Sequence, residues 1–205
     1  MTFRWDGGEV SGAWHEPPTG ADYLILAHGA GGSMDTPSMV SYAEAIAARG
    51  LGAVRFNFAY REAGKKAPDR TEKLEAVYRA VVEAVAKRAE RVFLGGRSMG
   101  GRIGSHLAAQ GVPAAGLVFL AYPLHPPGKP ERMRDAHLYD ITAPMLFIQG
   151  TRDPFGSPEE LEPIVRKIGA TLHLVEGGDH SHRVKGRQPA EVIGELVDAT
   201  LSWLP

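Results

Sequence analysis

The sequence predicts an α/β fold in a single domain, with a mostly parallel central sheet between two layers of helix. Three observations point there. Short, continuous apolar runs alternate with longer amphipathic stretches, as strands buried on both faces alternate with surface helices. Glycine stands where several of the helices should stop. A chain of 205 residues is one domain's worth of core. Strand, helix and strand repeated through short connections imply right-handed crossovers, and so a parallel sheet.

The elements follow in order. Residues 10–14 read as a weaker edge strand before Pro17-Pro18. Residues 23–27 are the first fully apolar run, followed by a helix over 37–49 that Gly50 closes. A strand over 52–56 and a helix over 71–87 come next, with Leu74, Val77, Val81 and Val85 at helical spacing as a core stripe. A strand over 92–94 leads to a helix over 100–110 closed by Gly111, then a strand over 116–121. Residues 123–142 are rich in proline and charge. They have room for a short helix over 131–138 but not for a cap domain. A strand over 145–148, a helix over 157–168 closed by Gly169, a strand over 172–175 and a helix over 189–203 complete the chain.

Composition narrows the function. Hydrophobic residues make up 43% and charged residues 23%, which is globular composition. The absence of cysteine excludes disulfides, thiolate metal sites and a cysteine nucleophile. Lys+Arg 23 against Asp+Glu 24 gives a net charge of -1, so no global field draws nucleic acid or an anionic membrane. The first ten residues lack the basic start and apolar core of a signal peptide, and no apolar run has membrane-spanning length. The expectation is a cytoplasmic protein, a monomer or a homodimer, with neither nucleic acid nor membrane as partner.

In an open α/β sheet, ligands bind beyond the carboxyl ends of the strands, so the residues just after each apolar run carry the chemistry. Gly96-Arg97-Ser98-Met99-Gly100 stands between a strand and a helix, the context of a sharp turn that lifts a serine above the sheet. A serine needs a base, and the base an orienting carboxylate. Asp153 follows the 145–148 strand and His180 the last strand, so both reach the same sheet edge, in the chain order serine, acid, histidine. His182 competes with His180 for the role of base. Oxyanion donors would be the Met99 N–H and one from the His28-Gly29-Ala30-Gly31-Gly32 loop, with Ala30 first and Gly31 the alternative. That loop is not a phosphate cradle, because neither glycine-rich nucleotide motif fits it.

With these residues in view, the chain resembles the α/β-hydrolase superfamily, in its small cap-less branch near dienelactone hydrolases. More narrowly it is similar to the KANL3/Tex30-type hydrolase-like family. The likeness rests on the His28–Gly32 loop, Gly95-Gly96-Arg97-Ser98-Met99-Gly100-Gly101-Arg102, Tyr122-Pro123-Leu124-His125-Pro126-Pro127-Gly128-Lys129-Pro130, Gln149-Gly150-Thr151-Arg152-Asp153-Pro154-Phe155-Gly156 and Glu176-Gly177-Gly178-Asp179-His180-Ser181. The resemblance implies a three-layer α/β-hydrolase fold without a cap, Ser98 as nucleophile, Asp153 as acid, and His180 rather than His182 as base. It implies a serine hydrolase of the carboxylesterase or thioesterase kind, acting on a small ester or thioester without a cofactor. A peptidase or amidase on the same three groups is the alternative, and so is a non-catalytic interaction module, since some relatives are subunits of chromatin complexes.

Smaller signals complete the reading. Gly31, His125 and Arg97 are candidates to contact substrate, although a proline-stiffened loop is the simpler account of His125. Arg102 is a candidate to pair with a local carboxylate. Residues 61–73 hold five basic and three acidic side chains and read as a solvated loop. Asp179, His180 and His182 lack the spacing of a metal-ligand set, so no metal is expected.

Overall fold

The computed structural model describes residues 1–205. Its sheet has eight strands in the order β1-β2-β4-β3-β5-β6-β7-β8. The strands are β1 (Thr2–Trp5), β2 (Gly8–His15), β3 (Asp22–Ala27), β4 (Gly52–Phe56), β5 (Arg91–Arg97), β6 (Gly116–Leu120), β7 (Met145–Gly150) and β8 (Thr171–Val175). β1 and β2 pair antiparallel, β2 joins β4 antiparallel, and every pairing from β4 through β8 is parallel. The helices are α1 (Pro37–Ala48), α2 (Ala59–Glu62), α3 (Thr71–Ala86), α4 (Met99–Ala109), α5 (Pro158–Lys167) and α6 (Pro189–Trp203).

The apolar runs are continuous because both faces of the sheet are covered. In β3, Leu24 and Leu26 enter one core with Met39, Tyr42 and Ile46 of α1 and Val192 and Leu196 of α6. Tyr23, Ile25 and Ala27, pointing the other way, enter a second core with residues of α3, α4 and α5. Hydroxyls tie the elements together: Tyr42 Oη of α1 lies 2.6 Å from Thr200 Oγ1 of α6 within one helix layer, and the Tyr78 hydroxyl of α3 accepts the Gly95 N–H of the sheet at 2.9 Å. Proline opens α1, α5 and α6, where its missing N–H is one the helix would not use. Gly50, Gly111 and Gly169 close α1, α4 and α5 in the left-handed region expected of them, at φ 103°, 85° and 65°.

Three expectations are corrected. The strand read over 10–14 is β2, one place in from the edge, because Thr2–Trp5 folds back on it across Asp6-Gly7 and takes the edge. The segment expected as a helix over 131–138 is irregular until a 3₁₀ turn at Ala136–Asp140. Lys129 N–H closes a turn on Pro126 O and Arg132 N–H another on Lys129 O, and Arg134 N–H donates to Leu124 O at 2.8 Å, so the start of the segment is folded back on the loop after β6. The solvated stretch beginning at residue 61 starts inside a helical turn, α2. No cap domain covers the carboxyl edge of the sheet, and no helix is long and apolar enough to cross a membrane.

Candidate active site

β5 turns into α4 at a single residue. Ser98 stands at φ 49°, ψ -117°, a conformation that side chains rarely adopt. Its neighbours make the turn feasible by lacking side chains. A Cβ on Gly100 would lie 2.1 Å from the Ala27 carbonyl oxygen, and one on Gly96 would lie 2.4 Å from the same atom. α4 therefore sits directly on the backbone of β3. Ser98 N–H donates to Leu120 O at 2.9 Å, and Ser98 O receives the first helical bond, from Arg102 N–H. The N–H groups of the first helical turn, Met99 included, have no intrahelical acceptor and carry the positive end of the helix dipole.

His180 Nε2 is 2.8 Å from Ser98 Oγ, and His180 Nδ1 is 2.7 Å from Asp153 Oδ2. With the Nδ1 proton donated to the carboxylate, Nε2 is left to accept the serine proton. The Asp153 carboxylate is fully buried and takes further donors from Phe155 N–H on Oδ1 at 2.8 Å and from Gln149 Nε2 on Oδ2 at 2.9 Å. The Phe155 ring stacks on the imidazole at 4.0 Å, which fixes the ring plane.

The loop carrying His180 is wound around Asp179, whose Oδ1 accepts N–H from Ser181 at 2.7 Å and from Arg183 at 2.9 Å. Burial opposes the charged form of Asp179, but the donors from Arg183 and Ser181 outweigh it and hold the pKa below the usual range. His182 points away from the serine. It is buried at φ 54° with Nε2 3.0 Å from Ile148 O, and burial pushes its pKa down to about 4. The structure thus brings His180 to Ser98 and Asp153, and turns His182 into the loop's anchor on β7.

The loop after β3 lies against the serine: a Cβ on Gly29 would be 3.6 Å from Ser98 Cβ. Its carbonyls are tied down. Gly29 O accepts from His28 Nδ1 at 2.8 Å and Gly32 N–H at 3.0 Å, and Ala30 O accepts the Tyr60 hydroxyl at 2.8 Å. A peptide N–H points opposite to its carbonyl, so the Ala30 and Gly31 N–H groups are turned away from these partners, and both residues are exposed. His28 is buried and neutral, its pKa lowered to about 4 by burial. Its Nε2 accepts the Phe58 N–H at 3.2 Å.

Two of the side chains expected to contact substrate take protein partners in the structure. The Arg97 guanidinium is committed to protein partners, donating to His180 O at 2.8 Å and Ser38 Oγ at 3.2 Å, so it ties the histidine loop to α1. His125 is buried, with Nδ1 2.9 Å from Pro126 O and Nε2 3.1 Å from Glu160 Oε2. Both ring nitrogens are thereby used to hold the proline-rich segment on α5. Arg102 pairs with no carboxylate either; its Nη1 is 3.4 Å from His106 Nε2. Sequence reasoning gave no role to Gln149, His28 or Tyr60. For Gln149 a signal existed, a lone amide ending an otherwise apolar run.

α4 carries a second serine–histidine contact two turns down. Ser105 Oγ is 2.8 Å from His137 Nε2 and 2.7 Å from Arg102 O, and Ser105 is completely buried. The carboxylate nearby, Glu75, bonds His106 at 2.8 Å, and the His106 and His137 rings meet edge to face at 4.4 Å. Two surface clefts, of about 560 and 610 Å³, lie away from Ser98, one between α3 and the start of β6, the other beside α6.

Residues 20–204 match the family described as alpha/beta hydrolase domain. Among solved structures, Est1E from Butyrivibrio proteoclasticus with ferulic acid bound is 16% identical, with a TM-score of 0.81 over 98% of each chain. An alpha/beta serine hydrolase without a lid from Xanthomonas campestris is 24% identical, TM-score 0.76, over 100% of this chain and 94% of that one. A dienelactone hydrolase from Anabaena variabilis is 16% identical, TM-score 0.78, over 100% of this chain and 97% of that one. Likeness at these identities establishes the fold: a cap-less, mostly parallel eight-stranded sheet flanked by helices.

Proposed function

We propose that this chain, which belongs to the alpha/beta hydrolase domain family, is a serine hydrolase that cleaves small or exposed esters or thioesters through an acyl-enzyme on Ser98. The observation that carries the reading is the unbroken line from Asp153 Oδ2 through His180 to Ser98 Oγ, with links of 2.7 and 2.8 Å. Ser98 Oγ would attack the carbonyl carbon as His180 Nε2 takes its proton, and Asp153 would steady the imidazolium. The Met99 and Ala30 N–H groups would hold the oxyanion, with Gly31 N–H beside them. Collapse of the tetrahedral intermediate would hand the proton on Nε2 to the departing alcohol or thiol. Water, deprotonated by the same nitrogen, would then release the acid and restore Ser98. The reaction so written uses no cofactor.

The open carboxyl edge of the sheet supports small or protruding substrates, since no cap supplies an apolar wall for a long acyl chain. The ferulic acid bound by the Est1E neighbour makes aromatic acyl esters a first class to try. The reading includes the narrower KANL3/Tex30-type branch, a cytoplasmic location, and action as a monomer or homodimer. A broad fluorophosphonate probe tests it. Labelling of the native chain that disappears in both Ser98→Ala and His180→Ala is expected, and a panel of short esters, thioesters and amides then ranks leaving groups. A folded native chain that stays unlabelled at high probe concentration sinks the proposal.

A further inference from the structure

All six residues of β7 are buried, and Gln149 carries the one polar side chain among them. Burying an amide is unfavourable unless both of its ends find partners. Here only one end does. Gln149 Nε2 lies 2.9 Å from Asp153 Oδ2, 3.1 Å from Gly156 O and 3.4 Å from Tyr122 O, while Oε1 has no partner. Turning the amide over does not help, because Oε1 would then face three oxygens, one of them a carboxylate's. If packing were all the position required, leucine or methionine would fill similar volume with no orphaned oxygen. What the amide supplies and a hydrocarbon does not is an N–H on Asp153 Oδ2, the same oxygen that faces His180 Nδ1.

We propose that Gln149 is a positioning residue of the Ser98 site: it fixes which Asp153 oxygen faces the imidazole and takes up part of that oxygen's charge. The inference rests on the serine hydrolase reading above. Two consequences follow from one hydrogen bond. Fixing the carboxylate raises the share of molecules in which His180 is aimed at Ser98. Drawing charge from Oδ2 makes the carboxylate a weaker partner for imidazolium, and removing the donor would strengthen that pull.

The test is the second-order rate of fluorophosphonate labelling as a function of pH, with a thermal melt of each variant. In Gln149→Leu the rate on the plateau is expected to fall about tenfold, the effect of one hydrogen bond to a charged group. Its acid limb is expected to move to higher pH. Gln149→Met, closer in shape, should reproduce both changes, which keeps the test alive if the leucine variant folds poorly. In Gln149→Glu a neutral carboxyl can still donate to Asp153, but an ionised one repels it. A new alkaline limb, absent from the native profile, is therefore expected. An unmoved acid limb in the leucine and methionine variants, whatever their rate or melting point, would reduce Gln149 to a packing group and overturn the proposal. So would a native-shaped profile in Gln149→Glu. If the native chain itself shows no Ser98-dependent labelling, it is the serine hydrolase reading that has failed, and the two failures are distinct.

Discussion

α4 is preceded by one serine, Ser98, and contains another, Ser105, each with its hydroxyl 2.8 Å from a histidine Nε2. The contact distance is the same and the surroundings are opposed. Ser98 is half-buried at the helix start, above unpaired N–H groups, and its histidine has a carboxylate on the far nitrogen. Ser105 is sealed in the helix interior, with Arg102 O also within hydrogen-bond distance of its hydroxyl, and the local carboxylate serves His106 rather than His137. His137 is depressed to about 4 by burial first, then by His106 and Arg102. A hydroxyl against an imidazole is therefore not a nucleophile by itself. It becomes one when a carbonyl can approach, when the base is oriented, and when donors wait for the developing anion.

The contrast can be broken most directly at the serines. Ser98→Ala is expected to lower ester hydrolysis by about 10⁴–10⁶-fold, and Ser105→Ala to leave it within about twofold while lowering the melting point through a lost buried hydrogen bond. A large loss of hydrolysis in a folded Ser105→Ala protein would mean that the two sites act as one. The carboxylates give the next largest difference. Asp153→Asn should reduce turnover by about 10³–10⁴-fold with little change in KM, whereas Glu75→Gln should change turnover by less than about twofold. Steady-state kinetics on a short ester separates them.

Stability sharpens the same comparison through two glycines of α4. In Gly100→Ala the new methyl would meet the Ala27 backbone oxygen at 2.1 Å, and unfolding in urea should show a loss of about 3 kcal/mol. In Gly104→Ala the nearest atoms are the Tyr78 ring and hydroxyl at 3.2 Å. That strain is set against the better helix propensity of alanine, for a net change within about 1 kcal/mol. The smallest effect is in the response to acid. His28, His137 and His182 are each held near 4, chiefly by burial, below the ordinary 6.5 of a histidine. Between those values the unfolded chain binds protons that the native chain refuses, so stability rises with pH and is lost on acidification. Unfolding midpoints between pH 7 and 4.5 should fall, and His137→Gln should flatten the slope by about one proton's worth. A slope unchanged in that variant would place His137 outside the titration.

The parallel centre of the sheet was legible because burial on both faces leaves nothing but apolar residues between Tyr23 and Ala27 or between Met145 and Ile148. The helix ends were legible where glycine and proline have one conformational use. β1 was not, because only Phe3 of its four residues is buried, so it has no apolar run to announce it. That Ser98, Asp153 and His180 meet was legible because each follows a strand at the same edge of the sheet. The partners of Arg97 and His125 were not legible for another reason: which atoms a long or two-headed side chain satisfies depends on residues distant in sequence, such as Ser38 and Glu160. Gln149 was overlooked although a lone amide ends the apolar run of β7, because its bond to Asp153 and its unpaired oxygen are visible only in the fold.

The backbone at Ser98, at φ 49°, has a further consequence. Glycine would occupy that conformation without strain, so folding and chemistry rank the residues at this position in opposite orders. A chain kept only for its shape or its surface would drift toward the residue the fold prefers. On the serine hydrolase reading proposed above, position 98 is thus the place where the two demands on this sequence can be told apart.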